Sequence, residues 1–268
     1  MKGFGLGVAL VAFAGAYVVF SQMMRQSLPD DLPEMLSLPA GTVEYRPTGE
    51  FRTDGRVRTA PLEKVEIPGN LEMMRYPVTQ QAYMACVRDG ACKSTHSSDA
   101  PDLPQTQVNF RDALDFAEWQ SKRTGQKWRL PTGAEWAHAA AERYVDDALD
   151  EAPTGDMAQR WLDEYRTNTK QRENADPSLR AIGAYGENAL GIGYIGGNVW
   201  EWTTTCFKKA ELTAEGDYIR ESDDYCGVRL AQGIHRAFVI DFVRDASVGG
   251  CAVGLPPDHL VIRLIRES

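Results

Sequence analysis

The residues able to do chemistry in this sequence are few: five cysteines, four histidines and one glycine-rich turn that ends in a carboxylate. Cys86 and Cys92 stand six residues apart across Asp89-Gly90, a turn signal, while Cys206 and Cys226 bracket a polar, charged segment and Cys251 follows Gly249-Gly250. The histidines His96, His138, His235 and His259 show no HxxxH or HExxH spacing, so they suggest no helix-borne metal site. His138 lies among alanines and reads as a packed or capping side chain. His235 is a candidate ligand or base, with a structural role as the alternative. In Gly196-Gly197-Asn198-Val199-Trp200-Glu201 the glycines let the backbone turn sharply and aim carbonyls inward, and Glu201 adds a carboxylate. Such oxygens are the hard ligands that calcium takes. The alternative is a tight core turn in which Trp200 and Trp202 serve only as packing. The acidic run Asp146-Asp147, Asp150-Glu151 and Asp163-Glu164 reads as a solvated face. No GxGxxG, P-loop or internal repeat is present.

The elements that must hold these groups read as α+β. The chain has 268 residues, 43% hydrophobic and 25% charged, close to an average globular protein. A net charge of -9 gives no basic footprint, so no nucleic-acid partner is expected. Residues 41–67 alternate apolar and polar with Gly and Pro punctuation, as strands and hairpins do. Helices are expected from Thr79 to Val87, from Asn109 to Thr124 with a stop at Gly125, and after Thr132, where Thr132 and Glu135 form a capping box. Past Gly183 the chain reads as short strands and long loops.

The apolar residues are unevenly placed. Gly3 to Met24 gives 22 residues without a charge, and about 20 suffice to span a bilayer as a helix. The domain reading is therefore a transmembrane anchor over 1–25, a linker over 26–37 and a globular domain over 38–268. A cleaved signal peptide ending near Ala14 or Ala16 is the alternative. Lys2 precedes the span, while Asp30, Asp31 and Glu34 follow it, which puts the N-terminus in the cytoplasm and the rest outside. For a bacterial source this predicts a single-pass inner-membrane protein with its globular domain in the periplasm.

Three segments carry a family resemblance. They are Tyr76-Pro77-Val78-Thr79-Gln80-Gln81-Ala82-Tyr83, Trp128-Arg129-Leu130-Pro131-Thr132-Gly133-Ala134-Glu135-Trp136, and the run from Asn188 to Trp202 that closes on Gly197-Asn198-Val199-Trp200-Glu201-Trp202. In order and interval they resemble the signatures of the formylglycine-generating (sulfatase-modifying factor) family. The resemblance covers roughly residues 38 to 268 and implies that family's irregular, C-type-lectin-like α+β fold. It also implies a structural calcium held by the backbone oxygens of Gly196, Gly197 and Val199 and by the Glu201 side chain.

The family chemistry needs a pair of cysteines near the C-terminus to hold Cu(I), a soft-ligand, soft-metal match. Here the preceding turn is reduced to Gln232-Gly233-Ile234-His235-Arg236, and no cysteine stands between Cys226 and Cys251. Ala237-Phe238-Val239-Ile240 occupies that ground and reads as a buried strand. No copper and no formylglycine-generating activity are therefore expected. Outside the cytoplasm thiols oxidise, which predicts Cys86–Cys92 and Cys206–Cys226 bridges, with five free buried cysteines as the alternative. Cys251 is left as a reactive or a buried inert thiol. Two functions fit. One is a non-catalytic accessory, assembly or binding subunit, for example of a membrane or periplasmic redox complex, with another membrane or periplasmic protein as its partner. The other is a copper-independent family enzyme, since one similar branch of the family acts in periplasmic maturation of a siderophore; His235, Asp241 and Arg244 are its candidate catalytic residues.

Overall fold

The computed structural model describes residues 32–95, 100–146, 158–159, 162–163, 165–166, 169, 178–221, 225–240 and 256–267. The elements below belong to the unit Pro33–Ser268. In chain order they are β1 (Met35–Ser37), β2 (Gly41–Tyr45), β3 (Gly49–Thr53), β4 (Arg56–Arg58), β5 (Glu63–Ile67), β6 (Leu71–Met74), α1 (Gln80–Arg88), α2 (Phe110–Thr124), β7 (Trp128–Arg129) and α3 (Gly133–Ala140). They continue as β8 (Trp200–Leu212), β9 (Tyr218–Glu221), β10 (Tyr225–Gln232), β11 (Arg236–Ile240), β12 (Leu260–Val261) and β13 (Ile265–Glu267). A larger sheet runs β11-β10-β8-β3-β4, with β9 and β12 also paired to β8; a second runs β1-β6-β13-β7; and β2 pairs with β5.

Local chemistry sets the three helices. The Thr79 hydroxyl accepts from the Ala82 amide and starts α1. Asn109 and Asp112 cap one another's backbone amides at the head of α2, which ends at Gly125 in the left-handed region at φ 69°. Thr132 and Glu135 do the same for α3. Each cap satisfies amide donors that would otherwise be orphaned, worth about 1 kcal/mol. α3 then buries Trp136, Ala139 and Ala140 against Leu38, Ile67, Leu71, Met73, Ile192, Ile195 and Ile265. Each large aliphatic side chain removed from water there contributes about 1.5–3 kcal/mol.

Both expected disulfides are present, with Cα–Cα distances of 5.3 Å for Cys86–Cys92 and 4.6 Å for Cys206–Cys226. The first closes the turn after α1, and the second ties β8 to β10.

Two expectations are corrected. The segment after Trp200 is not short strands and loops: β8 runs 13 residues and forms the axis of the larger sheet. Of the polar segment between Cys206 and Cys226, the residues to Leu212 continue β8 and Tyr218–Glu221 form β9. Ala237 to Ile240 does form a strand, but among the described residues β11 is at the sheet edge, paired to β10 alone, with Phe238 46% and Ile240 49% exposed. Among the described residues no helix is long and apolar enough to cross a membrane. The apolar run Gly3–Met24 lies outside the described residues.

Candidate functional site

The glycine-rich turn is built from its flanks inward. Asn188 donates to the Ala139 carbonyl at 2.6 Å, and its side-chain oxygen accepts from the Leu190 and Ile192 amides. The chain then reverses through Tyr194 (φ 70°) and Gly196 (φ 65°), both in the left-handed region. The Gly197 amide closes the reversal on the Tyr194 carbonyl at 3.3 Å. Asn198 donates to the Ser178 carbonyl and the Tyr185 hydroxyl, which fastens the turn's outer side. Trp200 enters β8 with its amide on the His259 carbonyl and its indole N–H on the His235 carbonyl, both at about 2.9 Å or less.

Glu201, the carboxylate of this turn, is 1% exposed and fully engaged. Its Oε2 accepts from Arg263 Nε and Trp136 Nε1, each at 2.8 Å, and its Oε1 accepts from Arg263 Nη2 at 2.7 Å. Arg263 is itself 0% exposed. Its remaining N–H groups reach the carbonyls of Met74 and Arg75 at 2.8 Å and of Gly193 at 2.9 Å. All five guanidinium donors thus have acceptors, the condition under which a buried ion pair is tolerated. One arginine from the β12–β13 connection thereby joins β6, the glycine turn and β8.

That geometry bears on the calcium expectation for Gly196, Gly197, Val199 and Glu201. A calcium ion sits about 2.3–2.6 Å from its oxygen ligands. At Glu201 it would lie against a guanidinium already held at 2.7–2.8 Å. The carboxylate is neutralised by Arg263, so the residues present do not fit a calcium anchored on Glu201. Among the described residues no group of three or more His, Cys, Asp or Glu side chains is gathered for any metal.

The ground beside the turn is filled by described side chains. The Trp200 indole is 6% exposed, with the His235 ring edge-on at 5.0 Å and the His259 ring edge-on at 4.9 Å. A Cβ on Gly233 would meet the Val199 carbonyl at 2.7 Å and the indole at 3.0 Å, so only glycine lets β10 turn this close to Trp200. His235 Nδ1 lies 2.9 Å from the Arg236 carbonyl, an acceptor, so that nitrogen carries the proton. Of the candidate catalytic residues, only His235 is described; Asp241, Arg244 and the remaining thiol Cys251 lie outside the described residues. His138 contacts the Pro39 carbonyl at 2.9 Å, the structural role expected.

Three ion pairs brace the surroundings. Arg129 meets Glu135 through both Nη atoms at 2.7 and 2.8 Å. Burial pushes the Glu135 carboxyl up, but hydrogen bonds from Arg129 and from the Thr132 backbone outweigh it and hold the group below its usual range. Asp146, expected on a solvated face, is exposed and accepts from Arg46 at 2.6 Å and Arg236 at 3.3 Å. Arg46 and Asp146 line one side of a polar cleft of about 570 Å³ that also takes in Arg58, Glu215 and Asp217.

Sequence reasoning missed Arg263 and Trp136 as the partners of Glu201. The available signal was the isolated charge in Leu260-Val261-Ile262-Arg263-Leu264-Ile265. An arginine in an apolar run needs a buried anion, and Glu201 between two tryptophans was the carboxylate in matching surroundings.

Comparison with known proteins follows the same lines. A sulfatase-modifying factor enzyme 1-like domain matches residues 19–268. The formylglycine-generating enzyme of Mycobacterium tuberculosis is 31% identical over 132 residues, 46% of this chain and 40% of the relative. The bovine (Bos taurus) formylglycine-generating enzyme is 30% identical over 109 residues, 39% of this chain and 27% of the relative. The alignments thus cover well under half the length of these curated relatives. Among solved structures, PvdO from Pseudomonas aeruginosa superposes with a TM-score of 0.58 at 20% identity, over 90% of this chain and 96% of PvdO. That likeness shows the fold.

Proposed function

Because the chain belongs to the sulfatase-modifying factor enzyme 1-like family, its activity turns on whether it keeps the thiol pair on which formylglycine generation depends, and we propose that it does not. The observation that carries this reading is a thiol count. The sequence has five cysteines, and two disulfides use Cys86, Cys92, Cys206 and Cys226, which leaves Cys251 alone. A linear Cu(I) dithiolate needs two. The protein is a non-catalytic binding or assembly subunit, tethered by an apolar anchor at Gly3–Met24 with its folded domain outside the cytoplasm, in the periplasm for a bacterial source. Two disulfides support an oxidising compartment. Exposed Tyr225, Phe238 and Ile240 on adjacent strands β10 and β11 support a protein partner in or at the membrane. A copper-independent enzyme is the competing reading. Its described candidate, His235, is 7% exposed and packed on Trp200, which favours a structural part for that ring.

The test is an assay with a sulfatase-type CxPxR peptide, Cu(I) and oxygen. No aldehyde product is expected above the no-protein control. Turnover that depends on the added copper overturns the reading.

A further inference from the structure

The two disulfides of this chain sit in opposite surroundings. Cys86 and Cys92 are 0% and 7% exposed, sealed beneath the end of α1. Cys206 and Cys226 join β8 to β10, with Cys226 exposed and Cys206 half-buried. The exposure has a local cause. The β10–β8 register steps from Tyr225 opposite Phe207 to Arg229 opposite Cys206, so Cys226, Gly227 and Val228 are extra residues on β10 and bulge from the ladder.

Arg229 is the second observation. Its Nη1 lies 3.2 Å from Cys206 Sγ and 2.8 Å from the Thr204 carbonyl, and its guanidinium lies over the Phe110 ring at 3.8 Å. The cation is held in place by backbone and ring, and it points at one sulfur of the bridge. The two sulfurs are therefore unequal: one belongs to an exposed residue on a bulge, and the other sits beside a fixed positive charge that stabilises a departing thiolate.

We propose that Cys206–Cys226 is a thiol–disulfide exchange site whose co-substrate is an external dithiol, with Arg229 as the positioning residue that stabilises the leaving sulfur. A thiolate of the dithiol attacks Cys226 Sγ. The Cys206–Cys226 bond breaks, its electron pair goes to Cys206 Sγ, and a mixed disulfide forms at Cys226. The second thiolate of the dithiol then attacks its own partner sulfur, closes the external disulfide and releases Cys226, which takes a proton from solvent. The external dithiol is oxidised by two electrons and the chain's bridge is reduced by two, leaving Cys206 as a thiolate on Arg229. Attack at Cys86–Cys92 is blocked by burial, so the exchange is confined to one bridge.

The experiment uses the full folded chain with Cys251 first blocked by N-ethylmaleimide. The protein is exposed to dithiothreitol without denaturant, new thiols are trapped with iodoacetamide, and each cysteine is mapped by mass. Cys206 and Cys226 are expected to become labelled at least about tenfold faster than Cys86 and Cys92. After reduction, the pH profile for alkylation of Cys206 should lie below that of an ordinary thiol, because Arg229 favours the thiolate. Arg229→Gln should move that profile back up and slow reduction by about threefold or more, while Arg229→Lys, which keeps the charge, should retain most of both effects. Equal labelling of the two bridges, or opening of Cys206–Cys226 only in denaturant, overturns the proposal in the wild-type protein whether or not a variant folds. An alkylation profile unmoved in folded Arg229→Gln removes Arg229 from it.

Discussion

Replacing Arg263 by methionine is expected to be among the most destabilising single changes in this protein. The side chain is 0% exposed and gives five hydrogen bonds, two of them to a carboxylate that is 1% exposed. Without it, Glu201 keeps only the Trp136 indole N–H as a donor, and the carbonyls of Met74, Arg75 and Gly193 each lose one. Removing one partner of a buried ion pair costs about 3–5 kcal/mol, mostly from the charge left behind. In urea this moves the unfolding midpoint down by more than about 1 M. Glu201→Leu should cost a similar amount for the mirror-image reason. The double variant Arg263→Met with Glu201→Leu should be less damaged than the two losses added together, because no uncompensated charge remains. Urea melts followed by tryptophan fluorescence measure all three, run in parallel with calcium and with EDTA. The two solutions should give the same midpoints, since Arg263 and not an ion neutralises Glu201. Single-variant losses under about 1 kcal/mol, strict additivity, or a calcium-dependent gain that vanishes in Glu201→Gln refutes the reasoning.

Three further outcomes follow from local geometry. Glu135 is held below its usual carboxylate range by Arg129 and Thr132, so its contribution is present above the unfolded glutamate pKa, about 4.3. It is lost as pH falls through the lower folded value, and the stability difference between wild type and Glu135→Gln should shrink below about pH 4. Gly233→Ala places a methyl 2.7 Å from the Val199 carbonyl, and thermal melts should show a loss of about 1–3 kcal/mol from overpacking. For the anchor, the chain should keep Met1 and stay with membranes after carbonate washing; a soluble chain beginning near residue 15 or 17 contradicts it.

The parts legible in the sequence were those fixed by neighbours a few residues apart. Helices begin after Thr79 and Asn109 as the pattern indicated, and Thr132 with Glu135 forms the capping box that their spacing indicated. The cysteine spacings likewise gave both bridges. What failed depended on contacts between distant segments. An apolar run of four residues reads equally well as a buried strand or as an edge strand with one face open. Ala237 to Ile240 proved to be the second kind because nothing pairs to its outer side among the described strands. The length of β8 was hidden because Lys208 and Lys209 interrupt its apolar pattern, while the pairing that extends it comes from Gly49 to Arg52, about 160 residues earlier. The Glu201–Arg263 pair spans 62 residues, and no local rule connects them.

The same contrast bears on what the strongest motif reports. In Gly197-Asn198-Val199-Trp200-Glu201-Trp202, the side-chain amide of Asn198, both indole N–H groups and the Glu201 carboxylate are committed to holding the fold. Asn198 fastens Ser178, Trp200 reaches the His235 carbonyl, Glu201 neutralises Arg263, and Trp202 donates to the Val108 carbonyl at 2.9 Å. Such a hexamer identifies a scaffold with high specificity because these four contacts depend on its residue types. It says little about catalysis, which in this family needs thiols supplied from elsewhere in the chain. A sequence can therefore keep the hexamer intact, lose the thiol pair and still fold in the same way, with its remaining sulfur chemistry moved to an exposed bridge between β8 and β10. On the proposal that this chain lacks the thiol pair, family membership and family activity separate, because the residues that secure the fold are not those that would carry the reaction.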